Sequence, residues 1–201
     1  MAINVSDKGG GDFKRLPEGT HLAVCDMVID LGIQPTSFGD KHKIFLRWQV
    51  PGERLEYTDD KGVKHDGPMV IGNFYTASLN KKAVLRKDLE GWRGRAFTDE
   101  ELEAFDMVAV LGKPCMITVV WTTANGKTYD NVTGVTGVPK GVPIPALEGK
   151  AIKYGPDDAA QWNDLPEWLQ KKVDAQIKTD EANTDGPAPT GPDDLNDDIG
   201  F

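Results

Sequence analysis

Residues 43–50 read KIFLRWQV, and this stretch decides the fold class because a large apolar side chain occupies every second position. Alternation with a period of two is typical of a β-strand that packs one face against a core. The pattern therefore predicts a strand with two different faces. One face carries Ile44, Leu46, Trp48 and Val50, and the other carries Lys43, Phe45, Arg47 and Gln49.

Four more strands are predicted on either side of this one. Asn125 and Gly126, between two runs rich in strand-forming residues, are a strong signal for a tight hairpin. The polar residues 57–68 contain two turn signals, so they are predicted to form a loop or the tip of a hairpin. The additional strands are residues 21–29, 69–76, 115–122 and 127–135.

A helical insert separates the third predicted strand from the fourth. Asn80 can cap a short helix over residues 81–90. Thr98 and Glu101 match a capping box, which opens a second helix predicted to reach about residue 108. The residues that these two helices are predicted to bury are Leu85, Leu89, Leu102, Phe105 and Ala109.

The order of the elements is strand, strand, strand, helix, strand, strand. This is the order of an OB-fold. We therefore predict a mainly β protein: a five-stranded Greek-key OB-fold barrel with a helical insert between strands three and four, a C-terminal helix and a disordered acidic tail. Other small Greek-key barrels share this order and stay open as alternatives.

The region after the barrel contains a connector rich in proline and glycine, followed by an amphipathic helix with Pro166 in its first turn. The apolar face of this helix can dock onto the barrel or contact another protein. We expect an N-terminal arm (1–17), a barrel (18–138), the connector with the helix (139–178) and a tail (179–201). The apolar stripe consists of Leu165, Leu169, Val173 and Ile177.

The acidity of the chain is concentrated in its last quarter. The formal net charge is −9, and residues 151–201 contain four basic and twelve acidic residues. Residues 180–201 have no basic side chain and too little apolar surface to fold, so they are predicted to be disordered. A partner pocket could take the apolar end of the tail, while its carboxylates steer it to a basic rim. The proposed partner-binding residues are Asp197, Asp198, Ile199 and Phe201; a purely solubilising tail is the alternative.

Motifs for catalysis and metal binding are absent from the sequence, which has no nucleophile elbow, phosphate loop or zinc-protease helix. Cys25 and Cys115 lie inside apolar runs and are predicted to be buried and reduced. We therefore expect no cofactor, no metal and no enzymatic activity, with a nuclease as the least favoured alternative. No signal peptide or membrane span is predicted either, so we expect a protein that stays in the cytoplasm.

Basic residues alternate with aromatic ones in the barrel. Residues 78–95 contain six basic and two acidic side chains, with Trp92 among them. Rings that stack on bases beside cations that meet phosphates are typical of single-stranded nucleic acid binding. In the alternative interpretation, Trp92 fills the core and the charges lie on a solvated helix face. The predicted contacts with single-stranded DNA are Lys43, Phe45, Arg47, Tyr75, Lys81, Lys82, Arg86, Trp92, Arg93 and Arg95.

The end of the tail, Asp-Asp-Ile-Gly-Phe at residues 197–201, resembles the C-terminal tip of bacterial single-stranded-DNA-binding proteins. Those tips have acidic residues followed by Ile-Pro-Phe, and Gly200 stands where they carry the proline. The resemblance implies that the tail recruits replication or repair proteins. Its charge also predicts that it competes with DNA for a basic groove.

The body of the chain is similar to a group of bacteriophage OB-fold single-stranded-DNA-binding proteins. The similarity rests on residues 85–98, which contain Trp-Arg-Gly-Arg at 92–95, and on residues 105–106, 111–115 and 165–172. It implies a protein of the host-cell cytoplasm that coats single strands during phage replication or recombination. A homodimer is possible, and an adaptor whose barrel binds a protein is the alternative function.

Overall fold

Five long antiparallel strands form a curled half-barrel in the computed structural model, which describes residues 14–58, 62–155 and 159–177. The order of the strands in the sheet is β3-β2-β1-β4-β5. A short sixth strand, β6 (Ile152–Tyr154), runs parallel to β1 and was not predicted. The long strands are β1 (Gly19–Thr36), β2 (Gly39–Thr58), β3 (Lys64–Thr76), β4 (Pro114–Ala124) and β5 (Lys127–Thr136).

The two faces of β2 confirm the alternation read from the sequence. The inner face lies in the main core of the half-barrel, while Phe45 on the outer face belongs to a second, smaller core. β2 thus separates two apolar layers at this point. The inner residues are Ile44, Leu46, Trp48 and Val50, all of them buried.

The hairpin between β4 and β5 agrees with the prediction, whereas the hairpin between β2 and β3 is longer than predicted. Asn125 (φ 50°) and Gly126 (φ 75°) form the tight turn between β4 and β5, which is the conformation that an Asn-Gly turn favours. By contrast, residues 57–68 are mostly strand, because Thr58 pairs with Lys64 and Arg54 with Pro68. Of the two predicted forms, the hairpin agrees with this pairing, although its strands extend further toward the tip than predicted, and a loop does not.

The first inserted helix, α1 (Val84–Arg93), begins three residues later than predicted. Asn80 accepts a hydrogen bond from the backbone N–H of Lys82 and so caps a turn that precedes the helix. Leu85 and Leu89 are buried in the main core, as expected.

The second inserted helix, α2 (Asp99–Glu103), has the predicted capping box between Thr98 and Glu101. It ends after one turn, so the predicted extension to residue 108 was wrong. The Asp106 carboxylate accepts from the backbone N–H of Val108 at 2.9 Å and starts a separate 3-10 turn. As a result Ala109 is exposed, although Leu102 and Phe105 pack against the main core.

Helix α1 covers the open side of the half-barrel, between β3 and β5. The Tyr75 hydroxyl on β3 donates to the Asp88 carboxylate on α1 at 2.8 Å. The Gly91 carbonyl accepts from the Gly137 N–H just after β5 at 3.0 Å. A Cβ atom at Gly91 would lie only 2.6 Å from the Val135 carbonyl oxygen, so this approach requires glycine. The insert therefore packs on both edges of the sheet.

The C-terminal helix, α3 (Glu167–Asp174), docks onto the outer side of the sheet, which confirms the first of the two predicted roles. A bulge between Cys25 and Met27 shifts the alternation of β1, so Cys25 faces the main core while Met27 faces α3. The second core consists of Met27, Ile29, Leu31, Phe45, Leu165, Leu169 and Val173.

Both cysteines are free and buried, as predicted. Burial raises the pKa of the Cys25 thiol to about 12 and raises the pKa of Cys115 as well, so both stay protonated. No helix in the described part of the chain is long and apolar enough to span a membrane. The predicted tail, with its four partner-binding residues, and most of the predicted N-terminal arm lie outside the described residues.

Candidate nucleic-acid interface

The three aromatic rings that were predicted to stack on bases are all buried. Phe45, Tyr75 and Trp92 are 4%, 2% and 8% exposed. Phe45 lies beneath α3, and the Trp92 indole N–H donates to the Pro114 carbonyl at 2.7 Å. None of the three presents an open face to a base, so they are core residues. For Trp92 the alternative interpretation, a side chain that fills the core, agrees with its position.

Arg47 on β2 is held by a buried carboxylate. Its guanidinium donates to both oxygens of Asp26, with the Nη2–Oδ2 distance at 2.8 Å and the Nε–Oδ1 distance at 3.0 Å. Asp26 is only 1% exposed, and a buried carboxylate left without this partner would be strongly destabilising. Arg47 therefore neutralises Asp26 rather than standing free for a phosphate. Arg86 is similarly paired with Glu90 at 2.9 Å.

The Trp-Arg-Gly-Arg stretch forms the joint between α1 and α2. Arg93 and Arg95 both donate to the Glu101 carboxylate, which also accepts from the backbone N–H of Thr98 in the capping box. The Arg93 guanidinium lies over the Phe97 ring at 4.4 Å. Bonds from Arg95, the Thr98 backbone and Arg93 lower the pKa of Glu101 to about 2. These arginines join two helices in this arrangement, and both are occupied.

The lysines predicted to contact DNA, unlike the arginines, are not paired with carboxylates in the described part of the chain. Within the described residues, Lys43, Lys81 and Lys82 form no ion pair. Lys81 and Lys82 are exposed in the turn before α1, whereas Lys43 lies on β2 opposite Thr76. The structure thus separates the predicted set of ten residues into buried rings, paired arginines and open lysines.

Lys43 lines a surface cleft of about 310 Å³ between α3 and the outer side of the sheet, which we call the α3 cleft. Three of its lining side chains are lysines, and none of the eight lining residues in the described part of the chain is acidic. The cleft therefore combines an apolar floor with a positive rim. The lining residues are Leu31, Gln34, Pro35, Lys43, Phe74, Lys171, Lys172 and Ala175.

Phe74 lines this cleft and belongs to a cluster of three aromatic rings. The Phe74 ring lies 4.9 Å from Phe45 and 6.3 Å from Trp168, measured between ring centroids. The Lys172 ammonium group lies 4.7 Å from the centre of the Phe74 ring. Trp168 also packs edge-on against Phe45, yet it remains 41% exposed. The core thus supports this ring cluster from below while one indole reaches solvent.

The positive rim is available to an anion. Lys171 pairs with Glu167 one helical turn earlier, but the two side chains are 73% and 79% exposed. Pairs in such exposed positions contribute about 0–1 kcal/mol, so a phosphate can replace the carboxylate at little cost. Lys43 and Lys172 have no carboxylate partner within the described residues. A single-stranded polyanion with aromatic bases therefore matches both parts of the cleft.

Sequence reasoning missed Phe74, Trp168, Lys171 and Lys172 because it searched for rings and cations close together in one stretch. A usable signal was present on α3. Lys171 and Lys172 follow Trp168 at the third and fourth positions, which places them on the same side of a helix. Phe74 belongs to β3 and meets these residues only after α3 has docked.

Among residues 14–58, 62–155 and 159–177, no three His, Cys, Asp or Glu side chains come together in a way that could hold a metal ion. No protein-family model matches this chain, and no curated protein matches it.

Proposed function

We propose that this protein binds single-stranded DNA, largely without regard to sequence, along the α3 cleft. The observation that carries the proposal is the exposed Trp168 packed against Phe74, which itself lines a cleft with three lysines and no acidic residue among its described lining residues. Duplex DNA fits less well, since the described residues contain no basic helix of a length suited to the major groove.

Stacking and charge together account for useful affinity. A base that stacks on an aromatic side chain contributes about 1–3 kcal/mol whatever its identity. The rings of Phe74 and Trp168 and the three lysines of the cleft would hold two or three nucleotides. The bases would stack on the rings, and the phosphates on either side of them would reach the lysines. Both contributions are independent of base identity, so the protein would bind many sequences.

The strand order supports a finer proposal about the fold, namely that the half-barrel is an OB-fold with Greek-key connections. Oligonucleotides bind to OB-folds across the second and third strands, and Lys43 and Phe74 lie on β2 and β3. The resemblance to phage proteins supports a role in coating single strands in an infected cell. The acidic tail would then recruit replication or repair proteins through Ile199 and Phe201.

Binding of a fluorescein-labelled dT oligomer, followed by anisotropy at low salt, tests the proposal. Trp168→Ala removes the exposed ring and should weaken binding about 5- to 150-fold, the equivalent of about 1–3 kcal/mol. Trp168→Phe keeps a ring and should lose much less affinity. The indole fluorescence of the wild type should be quenched by unlabelled dT, and in Trp168→Phe most of that quenching should disappear.

The dependence on salt tests the lysines. Each phosphate contact with a single strand adds about 0.7 to the slope of log K against log salt. Lys43→Ala and Lys172→Ala should each reduce the slope by that amount. Lys113→Ala is the matched control, since Lys113 is an exposed lysine that does not line the cleft. If the wild type ignores the oligomer at low salt, the proposal fails and the adaptor function becomes the better hypothesis.

A further inference from the structure

Gln34 is the one neutral polar side chain of the α3 cleft, and its amide has a fixed orientation. Its Nε2 group donates to the Leu31 carbonyl at 2.6 Å and to the Lys172 carbonyl at 3.0 Å. Both acceptors are backbone oxygens, so both N–H groups are used and the amide cannot be turned around without placing oxygen against oxygen.

The other end of the amide is consequently an acceptor. Within the described residues no donor bonds to the Gln34 Oε1 atom. The side chain is half-buried and lines the cleft beside Lys43 and Phe74. A ligand that brings a donor can bond to this atom, since an amide oxygen has two lone pairs and no described protein donor uses them.

We infer that the α3 cleft holds one base of the bound strand edge-on to Gln34, whose Oε1 accepts a hydrogen bond from an N–H group of that base. The inference rests on the proposed function and goes beyond it: the cleft distinguishes a base with a donor on its pairing edge from an aromatic ring without one. Thymine offers its N3–H, and the other three bases offer amino or ring N–H groups. The contact therefore requires a base without selecting a sequence.

The hydrogen bond proposed for Gln34 also depends on the docking of α3. Lys172 provides a backbone carbonyl that orients Gln34 and a side chain that lies against the Phe74 ring. The neighbouring Gly32 lies in the left-handed region at φ 67°, which favours glycine, and the side chain of Gln176 packs against it. The acceptor is thus held by the same contacts that attach the end of α3 to β1.

A change in the ligand isolates this hydrogen bond without altering the protein. An oligomer of N3-methylthymidine keeps the ring, the sugar and the phosphates of oligo(dT) but replaces the N3–H by a methyl group. Wild-type protein should bind it about 2- to 12-fold more weakly than oligo(dT) of the same length, the range that corresponds to one hydrogen bond of about 0.5–1.5 kcal/mol.

The ratio of the two affinities, measured again in Gln34→Met, completes the test. This variant also loses the two bonds to backbone carbonyls, so its affinity for both oligomers can fall, but the ratio should approach one. In Gln170→Met, a matched control whose amide donates to the Trp162 carbonyl outside the cleft, the ratio should stay as in the wild type.

The outcomes separate the inference from the proposal beneath it. Equal binding of the two oligomers by the wild type, or an unchanged ratio in Gln34→Met, overturns the role of Gln34 while DNA binding stands. Absence of binding to either oligomer overturns the proposed function itself.

Discussion

Replacing Tyr75 by phenylalanine separates the structural role of this ring from the DNA-binding role predicted for it. The ring is buried between β3 and α1, and its hydroxyl donates to the Asp88 carboxylate at 2.8 Å. Tyr75→Phe keeps the packing but removes this donor from a buried carboxylate. The cost of leaving a buried acceptor with one partner fewer is about 1–3 kcal/mol, so the free energy of unfolding should fall by that amount.

Urea unfolding followed by circular dichroism measures this change. In a thermal unfolding experiment on a domain of this size, each kcal/mol lost from the free energy of unfolding lowers the midpoint temperature by about 2–4 °C. Affinity for oligo(dT) should remain within about twofold of the wild type, because the ring does not line the α3 cleft. Tyr129→Phe is the control, since within the described residues the Tyr129 hydroxyl makes no hydrogen bond.

Two results would refute this reasoning. Unchanged stability in Tyr75→Phe would mean that the bond to Asp88 does not support the insert. Unchanged stability together with a loss of tenfold or more in DNA affinity would return Tyr75 to the binding surface. If Tyr75→Phe loses both stability and DNA affinity, DNA binding is measured again at a temperature well below the midpoint of thermal unfolding, where the variant is still folded.

Three further predictions concern the second core, a titrating pair and the tail. Leu169→Ala should lower the free energy of unfolding by about 2–5 kcal/mol in urea, since this side chain of α3 is fully buried against the sheet, whereas Gln170→Ala should change it by less than about 0.5 kcal/mol. The hydrogen bond to Asp30 raises the pKa of His42, so the pair stabilises the fold fully below the unfolded value of about 6.5 and loses its contribution as the pH rises through the raised value. The stability of the wild type relative to His42→Gln should therefore decline as the pH rises from about 6.5 through the raised pKa of His42, and a constant difference would contradict the role of the pair. Deleting residues 180–201 should tighten binding to oligo(dT) several-fold at low salt, with the difference shrinking as salt screens the charges; equal affinities at low salt would rule out competition by the tail.

Local patterns predicted those elements whose cause is local. The alternation in β2, the turn at Asn125 and Gly126, and the capping box at Thr98 depend on residues a few positions apart, and all three are confirmed. The helix predicted to reach residue 108 failed because Asp106 caps a new turn, which competes with continuation of α2. That competition is local too, and Phe105, just before the new turn, packs against the main core.

Most of the residues predicted to contact DNA lie outside the α3 cleft. The charged residues between 78 and 95 and Trp92 were interpreted as a binding surface, yet Trp92 completes the core and the arginines bind Glu90 and Glu101. The partners that occupy them lie up to eight residues away, and sequence proximity alone does not show which cation finds a carboxylate. Lys43 was the only predicted DNA contact that the structure brings into the α3 cleft.

The sequence by itself determined that the chain is a strand-rich domain, with its helical insert between the third and fourth long strands and its charge concentrated near the C-terminus. These properties follow from periodicity, turn residues and composition, which are carried by neighbours in the chain. Only the tertiary structure decided which face stays open. The bulge after Cys25 turns β1 outward to receive α3, and that docking buries Phe45 while it brings Trp168, Lys171 and Lys172 beside Phe74 and Lys43. Contacts between residues about 100 positions apart produce this cleft, so its existence depends on packing that no single stretch of sequence contains.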